Sequence, residues 1–152
     1  MQLAEEVVTF VRGGVAVIVA SRDDELRPQV GRGWGTEISA DGESVTLCIG
    51  APPDSPMRAN LQRGRGIAAT FTLPTSYRGV QIKGDVLELG EPTAQQLARV
   101  GEHLEAFARE TEQVGLTREL ARRLIDPVLL AVTFSARELY DQTPGASAGV
   151  RL

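Results

Sequence analysis

The sequence has a single cysteine, Cys48, and a single histidine, His103. A disulfide within the chain is therefore impossible. A metal site built from several histidine and cysteine ligands of one chain is excluded as well. A Ser-His-Asp arrangement would need His103 as its base, and we expect no nucleophile elbow to accompany it. We identify no catalytic residue and predict no metal site, so demanding chemistry would have to come from an organic cofactor.

Long apolar runs are absent as well. The longest purely apolar run near the start, residues 15–20, is too short to cross a bilayer. Glu5 and Glu6 lie where a secretory signal peptide carries positive charge. We therefore expect a soluble, cytoplasmic protein with no membrane partner.

The chain is also poor in lysine, since its 16 basic residues are Lys83 and, by difference, 15 arginines. The net charge of −4 argues against nucleic acid as a partner, because binding to a phosphate backbone needs a basic surface. Codon usage in a GC-rich genome is the simpler explanation of the arginine bias. A single arginine can nevertheless bind a phosphate with its forked guanidinium.

Short apolar segments bounded by turn signals predict six strands, over residues 15–20, 27–39, 45–49, 67–73, 75–89 and 128–134. The early strands follow one another with hairpin spacing, which favours an antiparallel meander closing into a small barrel over a parallel sheet. Helices are expected over residues 3–11 and 55–61, and as a pair over 93–125, inserted before the last strand. The predicted class is mainly β with helices (α+β), in one domain over residues 1–152.

The first helix of the inserted pair begins with a capping box formed by Thr93 and Gln96. His103 lies off the apolar stripe of this helix, and we expect it on the surface. The stripe consists of Leu97, Val100, Leu104 and Phe107.

Three glycines alternate along the second strand, at Gly31, Gly33 and Gly35, and would share one face. They mark either a bend of the barrel or the close approach of another backbone or a flat ligand. Arg32 and Trp34 take the opposite face. Arg32 is either part of a surface ion pair or a phosphate ligand, and Trp34 is expected to pack in the core or an interface.

Two further segments leave a choice between solvent and ligand. Ser55 and Pro56 open a short helix whose N-terminus, with Arg58 in its first turn, would suit an anion, although solvated surface arginines are the simpler interpretation. In the fifth strand, an apolar face alternates with a polar face that includes Gln81 and Lys83. That polar face contacts either water or a bound molecule.

The stretches "LRPQVGRGWG", "DGESVTLCIG", "SPMRANLQRGRGIAATFTLPTSYRGVQIKGDV" and "QTPGASAG" resemble the pyridoxamine 5′-phosphate oxidase-like family, the FMN-binding split barrels. The similarity runs over residues 14–90, with weaker support from the last strand and the tail. The resemblance implies a homodimer of six-stranded antiparallel split β-barrels, with FMN in two clefts between the subunits.

The resemblance also implies which residues contact FMN. Arg32 and Arg58 are the nearest matches to the phosphate ligands. The ring would meet the second and the fifth strand, at Gly33, Trp34, Gly35, Arg78 and Gln81. Because Arg78 and Gln81 point to opposite faces of a regular strand, both can touch FMN only across a bulge, for which Gly79 is the candidate.

The leading hypothesis is an FMN-dependent oxidoreductase of unknown substrate. It is not expected to be an authentic pyridoxine phosphate oxidase, because the C-terminal substrate clamp of that enzyme has no match and Arg151 lies in a tail expected to be mobile unless a partner subunit holds it. Two alternatives remain: a non-catalytic module of the same fold that binds flavin, deazaflavin or haem, and a dimer without cofactor. The role of the helix pair is open.

Overall fold

The computed structural model describes residues 1–64 and 66–152; Arg65, in the arginine-rich stretch after the second helix, lies outside them. The described residues form seven strands: β1 Ala16–Arg22, β2 Pro28–Ile38, β3 Ser44–Gly50, β4 Gly66–Thr72, β5 Gly79–Gly90, β6 Leu129–Ser135 and β7 Glu138–Asp141. They also form four helices: α1 Glu5–Val11, α2 Pro56–Gln62, α3 Ala94–Glu112 and α4 Arg118–Arg122.

The strands form an antiparallel barrel in the order β4-β1-β2-β3-β6-β5, which the pairing of β4 with β5 closes. The first half of β5 lies between β4 and β7, and its second half pairs with β6. The helix pair α3–α4 is inserted between β5 and β6. The predicted α+β class and six-stranded antiparallel barrel are confirmed. The short seventh strand, which extends the sheet beyond β5, was not predicted.

Alternation of side chains along the strands fills the barrel. Inward residues such as Val19, Leu47, Phe71 and Phe134 are fully buried, and each contributes about 1.5–3 kcal/mol relative to exposure. A second apolar cluster lies outside the barrel, between α3 and the outer side of β2 and β3. Within the described ranges, no helix is long and apolar enough to span a membrane.

The three glycines of β2 do not share a face, which corrects the expectation above. The register of β2 against β3 shifts between Trp34 and Glu37, and Gly35 adopts a φ of +69°. A Cβ atom at Gly33 would lie inside the barrel, 2.9 Å from Val17, whereas one at Gly35 would meet Val100 of α3. The bulge reverses the alternation, so Gly33 packs in the core and Gly35 admits the helix.

The predicted bulge at Gly79 is also wrong. Residues 79–85 keep an unbroken register with β4, and the irregularity in β5 falls between Val86 and Glu88. Leu87, between them, is 62% exposed. This is the point at which β5 leaves β4 and β7 and takes β6 as its partner, and the shift of partner accounts for the irregularity.

Helix α3 buries Val100 and Phe107 of the predicted stripe, but its buried side is shifted away from Leu97 and toward His103. Leu97 is 49% exposed, whereas His103, expected on the surface, is 2% exposed. The buried side carries Val100, His103, Phe107, Ala108 and Thr111. The β2 bulge offers a backbone donor at this place, and the histidine binds to it.

The C-terminal tail is held by β7, which corrects the expectation of a mobile tail. Arg151 forms a β-bridge with Tyr140, and the backbone N–H of Leu152 donates to Leu139. The carboxylate of Asp141 accepts hydrogen bonds from the N–H of Thr143 and from a serine hydroxyl in the intervening turn.

Candidate functional site

Three strands present a strip of small residues on the outside of the barrel. Val19 and Ser21 of β1 are buried inside, so the intervening Ala20 and the following Arg22 point outward. Ala20 lies opposite Ala68 of β4. The outer surface therefore carries no long side chains at this position, because the two neighbouring strands present only methyl groups.

A cavity of about 540 Å³ lies over this strip, and we call it the outer-face cavity. Its lining comes from the end of β1, the β1–β2 turn, the start of β4, the middle of β5 and the β6–β7 turn, and it includes Ala20, Arg22, Leu26, Ala68, Lys83 and Arg137. This volume falls in the range of small-molecule sites, roughly 300–1,000 Å³.

Five charged side chains surround the outer-face cavity: Arg22, Lys83, Asp85, Arg137 and Glu138. Arg137 forms an ion pair with Asp85. The Nζ atom of Lys83 lies 4.5 Å from the centroid of the Tyr140 ring. Three cations and two carboxylates leave the cavity with one net positive charge, although the whole chain carries −4.

The carboxylate of Glu138 is itself engaged. It accepts a hydrogen bond from the hydroxyl of Tyr140, and this bond lowers the pKa of Glu138, with smaller contributions from the nearby charges of Arg151, Lys83 and Arg137. The side chain of Arg22, by contrast, makes no hydrogen bond or ion pair with any residue that the structure describes. Arg22 and Lys83 are thus the two cavity-lining cations that no carboxylate of the described residues pairs with.

Two of the residues assigned by the resemblance share this outer face. Arg32 lies opposite Ile18 of β1, and Gln81 lies opposite Thr70 of β4 and Tyr140 of β7. Ile18 also pairs with Thr70, so the five residues form one row across the face, next to the row that carries Ala20 and Ala68. The amide of Gln81 donates to the Thr70 hydroxyl at 2.8 Å. The polar face of β5 thus borders the cavity.

Arg58 is held within the protein. Its Nε donates to the carbonyl oxygen of Ala51 at 2.8 Å, and its Nη1 lies 3.9 Å from a carboxylate oxygen of Glu91. The side chain is 13% exposed. The Ser55 hydroxyl accepts from the N–H of Arg58, as the predicted N-cap requires. Arg58 does not line the outer-face cavity.

Arg78 faces helix α1. Its guanidinium pairs with Glu6 at 2.6 Å and lies 4.7 Å from the centroid of the Phe10 ring. The structure therefore does not bring Arg78 together with Arg32 or Arg58.

Trp34 is 2% exposed and lies beneath α3. Its ring meets Phe107 edge-on, with centroids 5.6 Å apart, and is tilted against His103 at the same distance. Trp34 Nε1 and Thr36 Oγ1 have no hydrogen-bond partner within the described chain. The packing expected for Trp34 is confirmed.

The residues most often used as catalytic bases and nucleophiles are occupied. His103 Nδ1 accepts from the N–H of Gly35 at 2.8 Å, and Nε2 lies 2.8 Å from the carbonyl oxygen of Val15, to which it donates. Burial lowers the pKa of His103 and raises that of Cys48 to about 11. Neither side chain is available for proton transfer or nucleophilic attack at neutral pH.

Two further features bear on hydrolysis and metal binding. Residues 145–149 spell the G-x-S-x-G pattern of a nucleophile elbow, contrary to the expectation above. They form a turn after β7, however, and the Ser147 hydroxyl donates to Asp141. An elbow requires a strand leading into a helix. Among residues 1–64 and 66–152, no group of histidine, cysteine and acidic side chains could hold a metal ion.

Two of the three cations of the outer-face cavity, Arg22 and Arg137, were not identified from the sequence. Arg22 lies beyond the predicted first strand, residues 15–20, although strict alternation from Val17 and Val19 places it outward at the end of β1. Arg137 follows β6 and reaches the cavity only because β7 turns back along β5.

No family model matches the sequence, and no curated protein matches it. Solved structures do share the fold. An F420 reductase is 14% identical, with a TM-score of 0.60 over 90% of this chain and 98% of the other.

Two more structures match to a similar degree. A Clostridium acetobutylicum protein of the pyridoxinephosphate oxidase family is 15% identical, with a TM-score of 0.53 over 90% and 84% of the two chains. An FMN-binding protein of Syntrophomonas wolfei is 12% identical, with a TM-score of 0.52 over 90% and 86%. The resemblance seen in the sequence is therefore confirmed as a shared fold: the chain is a split barrel of the kind found in pyridoxamine 5′-phosphate oxidase-like and FMN-binding proteins.

Proposed function

We propose that the chain binds a flavin-type cofactor, FMN, in the outer-face cavity and acts as a cytoplasmic oxidoreductase. The observation that carries this proposal is the cavity of about 540 Å³ over a floor of two alanines, bordered by cations. A planar ring needs a floor without long side chains, and a phosphate needs a positive edge. The names of the structural neighbours, an FMN-binding protein and an F420 reductase, support a ligand of this class.

The residues present fit such a ligand at this place. Ala20 and Ala68 would lie under the ring, Leu26 would cover one side of it, and Lys83 would lie along its polar edge. When bound, FMN would supply hydride or single-electron transfer. The protein would orient the ring, exclude water from one of its sides and hold its anionic group. Arg58, assigned to the phosphate by the resemblance, is engaged with Ala51 and Glu91 and fits this role less well.

We further propose that the protein works as a homodimer and not as an authentic pyridoxine phosphate oxidase. Val30 is 68% exposed and Ile18 37% exposed on the outer face, and a second copy would cover such apolar side chains. Arg151, which could contribute to a C-terminal substrate clamp, lies close to the charge of Glu138. Sedimentation velocity should show a dimer that Val30→Glu dissociates, and a monomeric wild-type protein would contradict this part.

The flavin site is tested by filling the cavity from outside. Ala68 points outward, so Ala68→Phe should occupy the cavity and leave the barrel core unchanged. FMN titration, followed by flavin fluorescence, should show binding to the wild type and none to this variant. Ala98→Phe, on an exposed position of α3, is the matched control and should bind as the wild type does. FMN binding that survives Ala68→Phe would place the flavin elsewhere.

A non-catalytic binding module is the second candidate, and the hydrogen bonding of His103 and the burial of Cys48 favour it. Neither the histidine nor the cysteine is therefore available to a substrate as an acid, base or nucleophile. Anaerobic mixing of the FMN-loaded protein with NADH or NADPH distinguishes the two, since reduction of the flavin supports the oxidoreductase. A Soret band would indicate haem, and a colourless protein that takes up no FMN would indicate a dimer without cofactor.

A further inference from the structure

We infer that Arg22 recognises the anionic group of a planar, phosphate-bearing ligand in the outer-face cavity and makes the site selective for the phosphorylated form. This inference rests on the proposed function, because it assigns a specificity residue to the same cavity. Arg22 was not among the residues that the sequence or the resemblance assigned to a ligand.

Of the other four charged groups at the cavity, three are held by neighbouring residues. Arg137 is paired with Asp85, and Glu138 accepts from the Tyr140 hydroxyl. Lys83 lies over the Tyr140 ring. Among the described residues that line the cavity, Arg22 and Lys83 are therefore the cations without a hydrogen-bond or ion-pair partner, and only Lys83 has an aromatic contact.

Exposed arginines without a side-chain hydrogen bond or close ion pair occur elsewhere among the described residues, Arg109 on α3 among them, although its charge acts on Glu105. What distinguishes Arg22 is its place at the cavity, on a backbone with little freedom. It is the last residue of β1, opposite Pro28 in the ladder, and it points outward because Ser21 before it is buried.

The acidic residue next to it does not neutralise it. The carboxylate of Asp23 accepts from the backbone N–H groups of Glu25 and Arg27 and pairs with the Arg27 side chain at 2.7 Å. The side-chain bond to Arg27 is the main reason that the pKa of Asp23 is lowered. Asp23 thus holds the β1–β2 turn together and leaves the guanidinium of Arg22 available.

The chemistry of the two cations without a hydrogen-bond or ion-pair partner, Arg22 and Lys83, sets the class of ligand. A guanidinium presents paired N–H donors that match two phosphate oxygens, whereas a lysine is a flexible point charge. The two alanine methyls below accept a flat ring. A ring with a phosphate on a side chain satisfies both parts, and either a cofactor or a substrate could bring it.

The test compares ligand pairs that differ by the phosphate alone. We would measure Kd for FMN and riboflavin with the wild type, Arg22→Ala and the control Arg109→Ala. Arg22→Ala should weaken FMN about 10- to 100-fold, as expected for the loss of a charge-assisted hydrogen bond, and leave riboflavin within about twofold. Arg109→Ala should change neither. Arg22→Lys should restore part of the FMN affinity.

Equal losses for FMN and riboflavin, or no loss for either, would overturn the assignment while leaving the flavin site intact. Absence of flavin binding to the wild type would instead contradict the proposed function. In that case pyridoxine phosphate and pyridoxine form the second pair, measured on the same variants. A selective loss of the phosphorylated member supports Arg22 as the anchor of a substrate phosphate, and no selective loss in either pair rejects it.

Discussion

His103 Nδ1 accepts a hydrogen bond from the backbone N–H of Gly35 at 2.8 Å, and the opposite nitrogen of the ring donates to Val15. One side chain thus ties α3 to the bulge of β2 and to the residue just before β1. Both bonds require the neutral imidazole with its proton on Nε2, because Gly35 offers a donor and Val15 an acceptor. A second proton on the ring would face the Gly35 N–H and break the first bond.

Protein stability should therefore depend on pH through His103. Burial lowers its pKa below 6.5 in the folded state, while the unfolded chain keeps a value near 6.5. The contribution is complete above pH 6.5 and is lost as the pH falls from there toward the folded-state pKa, with a slope of at most about 1.4 kcal/mol per pH unit. Urea unfolding from pH 8 to pH 5.5 measures the slope, and His103→Gln should flatten it. An unchanged slope in that variant would assign the effect to other groups.

The two inward glycines of β2 should respond differently to an added methyl group. In Gly33→Ala the Cβ would lie 2.9 Å from Val17 and 3.1 Å from Val19, inside a filled barrel. Overpacking of this kind costs about 1–3 kcal/mol. At Gly31 the nearest atom is 3.4 Å away, an ordinary contact, so Gly31→Ala should stay within about 0.5 kcal/mol. Equal effects on the free energy of unfolding would show that the barrel relaxes around Gly33.

Arg58→Ala should destabilise the protein. The variant removes a charge-assisted bond to the Ala51 carbonyl from a side chain that is 13% exposed, and such bonds contribute about 1.5–3 kcal/mol. Thermal and urea unfolding without any ligand would measure the loss. Arg63→Ala, at the exposed end of α2, serves as the control and should change stability little. If the ligand-free Arg58→Ala protein is as stable as the wild type, the bond to Ala51 contributes little to stability and Arg58 is available to bind an anion.

Cys48 should be unreactive in the native protein. It is 1% exposed, and burial raises its pKa to about 11, so roughly one thiol in a thousand is ionised at pH 8. In denaturing urea a pKa near the usual value of 9.0 leaves about one thiol in ten ionised at pH 8, so a chromogenic disulfide reagent should label the native thiol at least about a hundredfold more slowly. Rapid native labelling would mean that the α3 cover opens far more often than the packing of Trp34 against Phe107 suggests.

Signals confined to a few neighbouring residues were interpreted correctly from the sequence. The Ser55 cap and the Thr93–Gln96 capping box both form as predicted. Each depends on bonds spanning three residues, so the local chain contains all the information. The antiparallel pairing of β1 with β2 and of β2 with β3 was predictable for the same reason, because each pair is joined by a short turn.

The errors concern contacts between distant segments. One bulge after Trp34 reversed the alternation, and no local pattern marks it. The burial of His103 depends on two backbone groups that lie 68 and 88 residues away. The outer-face cavity needs the register of β1, β4, β5 and β7 together, so Arg22 and Arg137 look like ordinary surface charges until the strands are aligned.

The pairing of β3 with β6 has a consequence for synthesis on the ribosome. Strand β3 pairs with β2 on one side and with β6 on the other, and β6 is made about eighty residues later. Until then one edge of β3 has unmatched backbone groups beside fully buried residues such as Leu47 and Ile49. The nascent chain must keep this edge from neighbouring chains for several seconds, at a usual elongation rate of about 5–20 residues per second.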